Sequence, residues 1–269
     1  MEIERGGKVD LGLGGKVALI CGGSRGIGKA CAIMFAEEGA RVIILSRGIK
    51  DLMATCEHIR NRGGEADFVQ ADLSEINEIE SIVKRVRDIY GKVDVLVNNA
   101  GGPPPGDPLG FSPEKWEDAF RQNFLSAVEL TRFILPEMIE RRWGRVINIT
   151  SITTRAPVES LVLSNGVRMA VVGWAKTLAG KYAKYGITIN NVAPGFTLTE
   201  RLRQLSEKTA IDRGTTVNDI LESYSNKIPA GRLAEPWEIA SSVVFLAGRG
   251  ASYINGITLV VDGGYIPCV

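Results

Sequence analysis

Seven short apolar runs, rich in β-branched residues, recur along the chain, separated by longer stretches with helical patterning. They are "KVALIC" (Lys16–Cys21), "RVIILS" (Arg41–Ser46), "ADFVQ" (Ala66–Gln70), "VDVLV" (Val93–Val97), "RVINIT" (Arg145–Thr150), "ITINNV" (Ile187–Val192) and "ITLVV" (Ile257–Val261). Strands that are apolar nearly throughout are covered on both faces, and helical stretches such as "KACAIMFAEEG" and "INEIESIVKRVRDIYG" supply the cover. The pattern predicts an α/β chain built on a doubly wound, parallel, seven-stranded sheet with helices on both faces. The 269 residues, 45% of them hydrophobic, are enough for one large domain with a sizeable core. No linker or internal repeat divides them, so residues 1–269 are read as a single domain.

The charges nearly cancel, at a formal net of +1. No excess positive field is available for nucleic acid or for a polybasic membrane contact. Cys21, Cys31, Cys56 and Cys268 have no metal-type spacing, and a core of this size needs no disulfide scaffold, so they are read as reduced and mostly buried. The opening "MEIERGGKVDLGLGG" has no apolar signal core, and no segment is long enough to span a bilayer. A cytoplasmic location is expected, with no metal, nucleic-acid or membrane partner.

"CGGSRGIGKA" follows the first strand and opens the first helix. Gly22, Gly26 and Gly28, with Ser24, Arg25 and Ile27 between them, form a turn in which missing side chains let a pyrophosphate approach the backbone. The helix N-terminus adds free N–H groups and the positive end of its dipole. At the end of the second strand, Ser46 and Arg47 stand where a carboxylate would bond a ribose 2′-hydroxyl. With Arg25 they read as a phosphate clamp, which favours NADP(H) over NAD(H), or as surface charges alone. The polar segment 196–232 follows a strand's C-terminal end, where open α/β sheets bind ligands; it reads as a substrate lid or a solvated helical loop.

Further motifs complete a resemblance. "ADL" (Ala71–Leu73), "NNAGG" (Asn98–Gly102), Asn123 in "RQNFLSAVEL", Ser151 in "INITS", "APGFTLT" (Ala193–Thr199) and the closing "IPAGRLAEPWEIASSVVFLAG" with "YINGITLVVDGG" are similar to short-chain dehydrogenases/reductases. The likeness runs from about Leu11 to the C-terminus and is strongest to 3-oxoacyl-acyl-carrier-protein reductases. It implies a Rossmann-like fold and an NADP(H)-dependent oxidoreductase of CH–OH and C=O groups, acting on a small-molecule or acyl-thioester substrate. It also implies that Asp72 and Leu73 lie at the adenine, Asn99, Ala100 and Gly101 along the adenosine ribose, and Pro194, Gly195, Thr197 and Thr199 on the nicotinamide side. Asn98 and Asn99 serve equally well as ties between strands.

The resemblance breaks at the chemistry. Members of the family set an Asn, a Ser, a Tyr and a Lys around the nicotinamide. Asn123 and Ser151 fill the first two places, but counting on from Ser151 gives Ser164 for the Tyr and Arg168 for the Lys. No Tyr lies between Tyr90 and Tyr182, so no shift of register restores one. Tyr182 and Tyr185 stand roughly 27 Å or more from Ser164 along a helix and are assigned to a surface or subunit contact. Arg168 would hold the ribose and supply charge, yet a guanidinium does not titrate usefully, and the hydroxyls of Ser151 and Ser164 are far too weak as acids. Loss of a general acid costs about 10²–10⁴ in rate, which space for a water beside Ser164 would partly offset.

Glu159, five residues before Ser164, is a candidate replacement acid or a helix-capping residue. The sole His, His58, lies on the helix after the second strand, away from the site. "GGPPPGDP" (Gly101–Pro108) is expected to rim the cleft. The helix from Ser164, apolar or small around most of its circumference, calls for a second subunit, with Gly173 and Ala175 permitting close approach. The resemblance implies a homotetramer in which "VDGGYIPCV" joins an interface. Three activities therefore stand side by side. One is an atypical reductase, the second a catalytically impaired NADP(H)-binding homologue that senses or scaffolds, and the third an elimination or addition with Arg168 holding an anion.

Overall fold

The computed structural model describes residues 10–267, so Cys268 and the last part of "VDGGYIPCV" lie outside the described residues. Seven strands form one parallel sheet in the order β3-β2-β1-β4-β5-β6-β7. They are β1 (Val17–Cys21), β2 (Arg41–Ser46), β3 (Glu65–Gln70), β4 (Val95–Asn98), β5 (Gly144–Ile149), β6 (Ile187–Pro194) and β7 (Thr258–Val261). Each predicted strand is present, with no end moved by more than two residues.

Period-two geometry explains why these runs lack polar residues. In β1, Ala18 and Ile20 face one apolar cluster while Val17, Leu19 and Cys21 face the other. In β2, Val42 and Ile44 join the first cluster, Ile43 and Leu45 the second. The first cluster is closed by α1 (Gly26–Glu37), α2 (Ile49–Asn61) and α9 (Pro236–Ala247), the second by α3 (Ile79–Tyr90), α5 (Ser126–Glu140) and α6 (Val162–Tyr182). Helix α3 shows the logic plainly: Ile79, Ile82, Val83 and Val86 recur at helical spacing and are all buried. Each such side chain contributes roughly 1.5–3 kcal/mol, so the two layers hold the strand ends in fixed register.

The chain order reverses between β1 and β4, which pair with one another while their successors run to opposite sides. Neighbouring loops therefore part there and leave a crevice at the strands' C-terminal ends, the place where such sheets take ligands. Cys21 and Asn98 end the two strands on either side of it.

One sequence expectation changes. Ala175 is fully buried within the second apolar cluster, so it serves this chain's own core and cannot touch another subunit, whereas Gly173 is exposed. Tyr182 and Tyr185 are partly buried against that cluster, 6.4 Å apart between ring centres. Asp94, invisible as a tie in the sequence, is 2% exposed and accepts from the Val17 N–H at 3.0 Å while Lys92 sits 3.0 Å away. No described helix is long and apolar enough to cross a membrane.

Candidate active site

The glycine turn leaves β1 at Cys21 and enters α1 at Gly26. Gly22 and Gly26 have φ of +60° and +52°, the left-handed region that side chains avoid. Gly28 is set differently. A methyl there would collide with the Gly22 carbonyl oxygen and lie 2.8 Å from Asn99 Nδ2, so only glycine lets α1 seat against the turn. Arg25 at the head of α1 is extended and provides no side-chain cap, and the first turn has no acidic residue. The N–H groups of that turn are thus left for an external acceptor. Ile27 packs on the first apolar cluster, and the Ser24 carbonyl accepts from Thr55 Oγ1 at 3.3 Å.

Ser46, Arg47 and Arg25 do gather at the ends of β1 and β2, but neither guanidinium is free. Arg25 Nε donates to Asp51 Oδ2 at 2.9 Å, and its Nη1 reaches both oxygens of Glu200 at 3.0 Å. Arg47 lies 3.6 Å from Asp72 Oδ2, and Ser46 Oγ accepts from the Gly48 N–H. Burial pushes the Asp72 carboxyl up, but the Ser74 N–H and hydroxyl with the Arg47 charge hold it below its ordinary value. Leu73 beside it packs on the second cluster.

Across the crevice Asn99 Nδ2 donates to the Cys21 carbonyl at 3.1 Å, tying β4 to the glycine turn. Asn98 begins a relay of amides, the tie between strands that its place in the sequence leaves open. Its Nδ2 donates to Asn148 Oδ1 at 2.9 Å, Asn148 Nδ2 to Asn191 Oδ1 at 3.0 Å, and Asn191 Nδ2 to Thr258 Oγ1 at 3.2 Å. The relay crosses β4, β5, β6 and β7. Its signal was present as Asn residues inside strands read as buried on both faces, where an amide persists only if bonded.

Asn123 sits in a π-helical turn (Arg121–Leu125) between α4 (Pro113–Phe120) and α5. Its Nδ2 donates to the Ala119 carbonyl at 3.2 Å, the acceptor that regular α-helical pairing would give to its own N–H. Ser151 follows β5 and heads a short 3₁₀ turn, its Oγ accepting from the Thr153 N–H at 3.2 Å. That lone pair being used, the hydroxyl proton is free to point elsewhere. Ser164 and Arg168 lie one turn apart on α6, hence on one face. Helix α6 starts at Val162, two residues earlier than expected, and Asn165 clamps its start by exchanging bonds with the Val158 backbone. Glu159 is exposed and α6 has no side-chain cap, so it does not play the capping part; His58 is exposed on α2.

Arg168 is the unusual group. It is only 7% exposed, its Nη1 donates to the Ile149 carbonyl at 2.5 Å and its Nη2 to the Ala100 carbonyl at 3.1 Å. Among the described residues no carboxylate pairs with it. Burial pushes its pKa down to about 10, which still leaves it charged at neutral pH. Arg168, Asn98, Asn99, Ala100, Asn123 and Asn148 line one small, partly open cavity of about 10 Å³, close to the smallest space that holds a water. Arg168 Nε, Asn98 Oδ1 and Asn123 Oδ1 are buried without a hydrogen-bond partner among the described residues. Such a set, one donor and two amide acceptors, suits a bridging water within the cavity, and its polarity suits the hydroxyls of a ribose lying against it.

Pro194 ends β6 and the Gly195 N–H donates to the Val261 carbonyl. Thr197 Oγ1 donates to the Gly195 carbonyl at 3.1 Å, and Thr199 caps α7 (Glu200–Arg213), its methyl lying next to Gly26. Helices α7 and α8 (Val217–Ser225) follow. Arg201 Nη2 reaches the Pro103 carbonyl at 3.4 Å, and Gly106 bonds the Ser160 carbonyl, so the "GGPPPGDP" loop touches both α7 and the approach to α6. Phe196 stacks on Tyr224 at 4.7 Å and meets Tyr265 edge-on at 5.2 Å, which pins α8 to the C-terminal turn.

Comparison with known proteins agrees with this architecture. The short chain dehydrogenase family pattern matches residues 16–210. The chain is 35% identical over 254 residues to the 3-oxoacyl-[acyl-carrier-protein] reductase of Vibrio cholerae, covering 94% of this chain and 98% of that protein. Among solved structures it superposes with a TM-score of 0.92 on the L-sorbose reductase of Gluconobacter frateurii complexed with NADPH and L-sorbose, at 32% identity over 97% of this chain and all of that one. It superposes with a TM-score of 0.89 on an actinorhodin polyketide ketoreductase with NADPH, at 34% identity over 93% of this chain and 97% of that one.

Proposed function

The chain belongs to the short-chain dehydrogenase family, and from that membership we propose that it is an NADP(H)-dependent carbonyl reductase, similar to 3-oxoacyl-acyl-carrier-protein reductases, with an acid/base site that lacks a titrating acid. The observation that carries this reading is Arg168: a buried cation with no carboxylate partner among the described residues, bonded to the last residue of β5 and to the loop after β4, and lining the same cavity as Asn99 and Asn123. A desolvated charge of this kind is tolerated when a ligand or a dense polar shell compensates it.

Bound NADPH supplies the hydride. Gly22, Gly26 and Gly28 bring the α1 N–H groups to the pyrophosphate, Arg25 and Arg47 take the 2′-phosphate, and Arg168 holds the nicotinamide ribose. Ser151 and Ser164 donate hydrogen bonds to the carbonyl oxygen of the substrate. The proton that must follow reaches that oxygen from a water held by Asn123 and Arg168, with Ser164 on the same face of α6; the hydroxide left behind is reprotonated by solvent, because none of these groups can release a proton itself near neutral pH. The segment 196–232 closes the cleft as a lid, which the contact of Arg201 with the Pro103 carbonyl supports. We place the protein in the cytoplasm as a homotetramer, with the exposed Met169 and Gly173 of α6 in one interface.

Fluorescence titration with NADPH, followed by oxidation with ketones and 3-oxoacyl thioesters, tests the reading. Saturable binding with turnover above background is the expected result. Binding without any oxidation would leave the alternative, a catalytically impaired homologue for which the nucleotide is a signalling or structural ligand. No binding would refute the reading.

The rate should also be nearly flat with pH from about 6 to 9. The sign follows from the groups present: Ser151 and Ser164 do not ionise there, and Arg168, even with burial pushing its pKa down to about 10, keeps its proton until above that range. A pH–rate profile with a well-defined limb of tyrosine type in this window would show that another acid serves the site.

A further inference from the structure

We infer that Asp51 and Glu200 are specificity-determining residues that oppose binding of the 2′-phosphate, by holding Arg25 in a charge trio that this phosphate must open. The inference rests on the NADP(H) reading above. It goes beyond it by assigning a role to two carboxylates that lie outside every motif of the cofactor turn.

Arg25 is the group concerned. It stands at the head of α1, and both edges of its guanidinium are in use. Asp51 takes Nε at 2.9 Å and Nη2 at 2.7 Å, and Glu200 takes Nη1 through both oxygens at 3.0 Å. The carboxylate of Asp51 raises the Arg25 pKa first of all, with Glu200 adding to it. One cation faces two anions, so the trio carries a net charge of −1. The second arginine of the clamp, Arg47, is 3.6 Å from Asp72. A doubly charged phosphate approaching this corner finds no unpaired guanidinium and a local excess of carboxylate.

The three residues come from separate elements: the α1 head, the first turn of α2 and the first residue of α7. The side chains of Arg25 and Glu200 are about half exposed and that of Asp51 is 35% exposed. At such sites ion pairs are weak and exchangeable, so a phosphate, which carries more charge and offers a fork for the guanidinium, can replace one carboxylate. The displaced carboxylate stays close by and repels the phosphate. An unphosphorylated dinucleotide has no group at this corner and is unaffected. The consequence is a protein that accepts NADP(H) with less preference over NAD(H) than its two arginines alone would give.

The test is to titrate NADPH and NADH, by nucleotide fluorescence, into the wild type, Asp51→Asn and Glu200→Gln at low and at physiological salt. The amides keep size and solubility, and neither side chain is part of the core. Each variant is expected to bind NADPH about three- to tenfold tighter at low salt, less so at physiological salt, with NADH affinity unchanged. Unchanged or weaker NADPH binding in both variants would overturn the inference alone, since the carboxylates would then merely orient Arg25 or tie α7. Equal tightening of NADH would overturn it as well, because the repulsion would be acting on the shared pyrophosphate. If the wild type binds neither nucleotide, this inference and the cofactor reading fall together.

Discussion

The double variant Ser164→Tyr, Arg168→Lys is expected to turn over carbonyl substrates roughly 10²–10⁴-fold faster than the wild type, the range that a positioned general acid contributes. The two positions lie one helical turn apart on α6, so a phenol and an ammonium placed there share a face. An ammonium beside a phenol stabilises the phenolate and lowers the phenol's pKa toward the working range. The present pair offers nothing comparable. The Ser164 hydroxyl does not ionise near neutrality, and Arg168 keeps its charge. The gain should appear in kcat, with NADPH affinity changed only a few-fold, and the flat pH–rate profile should acquire a limb. Arg168→Lys alone should give no such gain, and should weaken NADPH binding, because one ammonium cannot span the Ile149 and Ala100 carbonyls as the guanidinium does. A folded double variant that binds NADPH yet works no faster than the wild type would show that the proton does not pass through position 164.

The layered sheet could be read from the chain because each strand is a two-sided apolar run, a pattern few architectures permit. The glycine turn was legible for a similar reason: a missing side chain leaves a mark in the sequence that a contact does not. What could not be read is pairing at a distance. Nothing local indicates that Arg25 meets Asp51, 26 residues on, and Glu200, 175 residues on. The amide relay from Asn98 to Thr258 likewise joins residues far apart in the chain. Helical periodicity also misled at Ala175, since a small residue on a broad apolar face reads equally as an intersubunit contact and as core; the sheet beneath α6 decides for core. At Ser164 and Arg168 the residues themselves announced the departure, but only the fold shows that the guanidinium is buried with no carboxylate partner among the described residues.

Gly28→Ala is expected to lower the melting temperature by roughly 6–12 °C and to weaken NADPH binding about tenfold or more. By helix propensity alone the change should stabilise, since alanine is favoured over glycine inside a helix by about 1 kcal/mol. Packing reverses the sign. The added methyl would meet the Gly22 carbonyl and stand 2.8 Å from Asn99 Nδ2, an amide already bonded to the Cys21 carbonyl. Neither neighbour is the loose end of a flexible side chain, so α1 itself must lift from the turn. Overpacking of this kind costs typically 1–3 kcal/mol and occasionally more. At the upper end, with roughly 2–4 °C per kcal/mol for a chain of about this size, the stated drop in melting temperature follows. The same displacement carries the α1 N–H groups away from the place where they converge on a phosphate, which is why affinity and stability should fall together. Gly180→Ala, exposed on α6 with no atom within 4 Å of the new methyl, is the matched comparison and should instead gain up to about 1 kcal/mol. Should Gly28→Ala melt with the wild type while Gly180→Ala shows its gain, the close seat of α1 on Gly22 is wrong, and with it the argument that this turn is shaped for a dinucleotide.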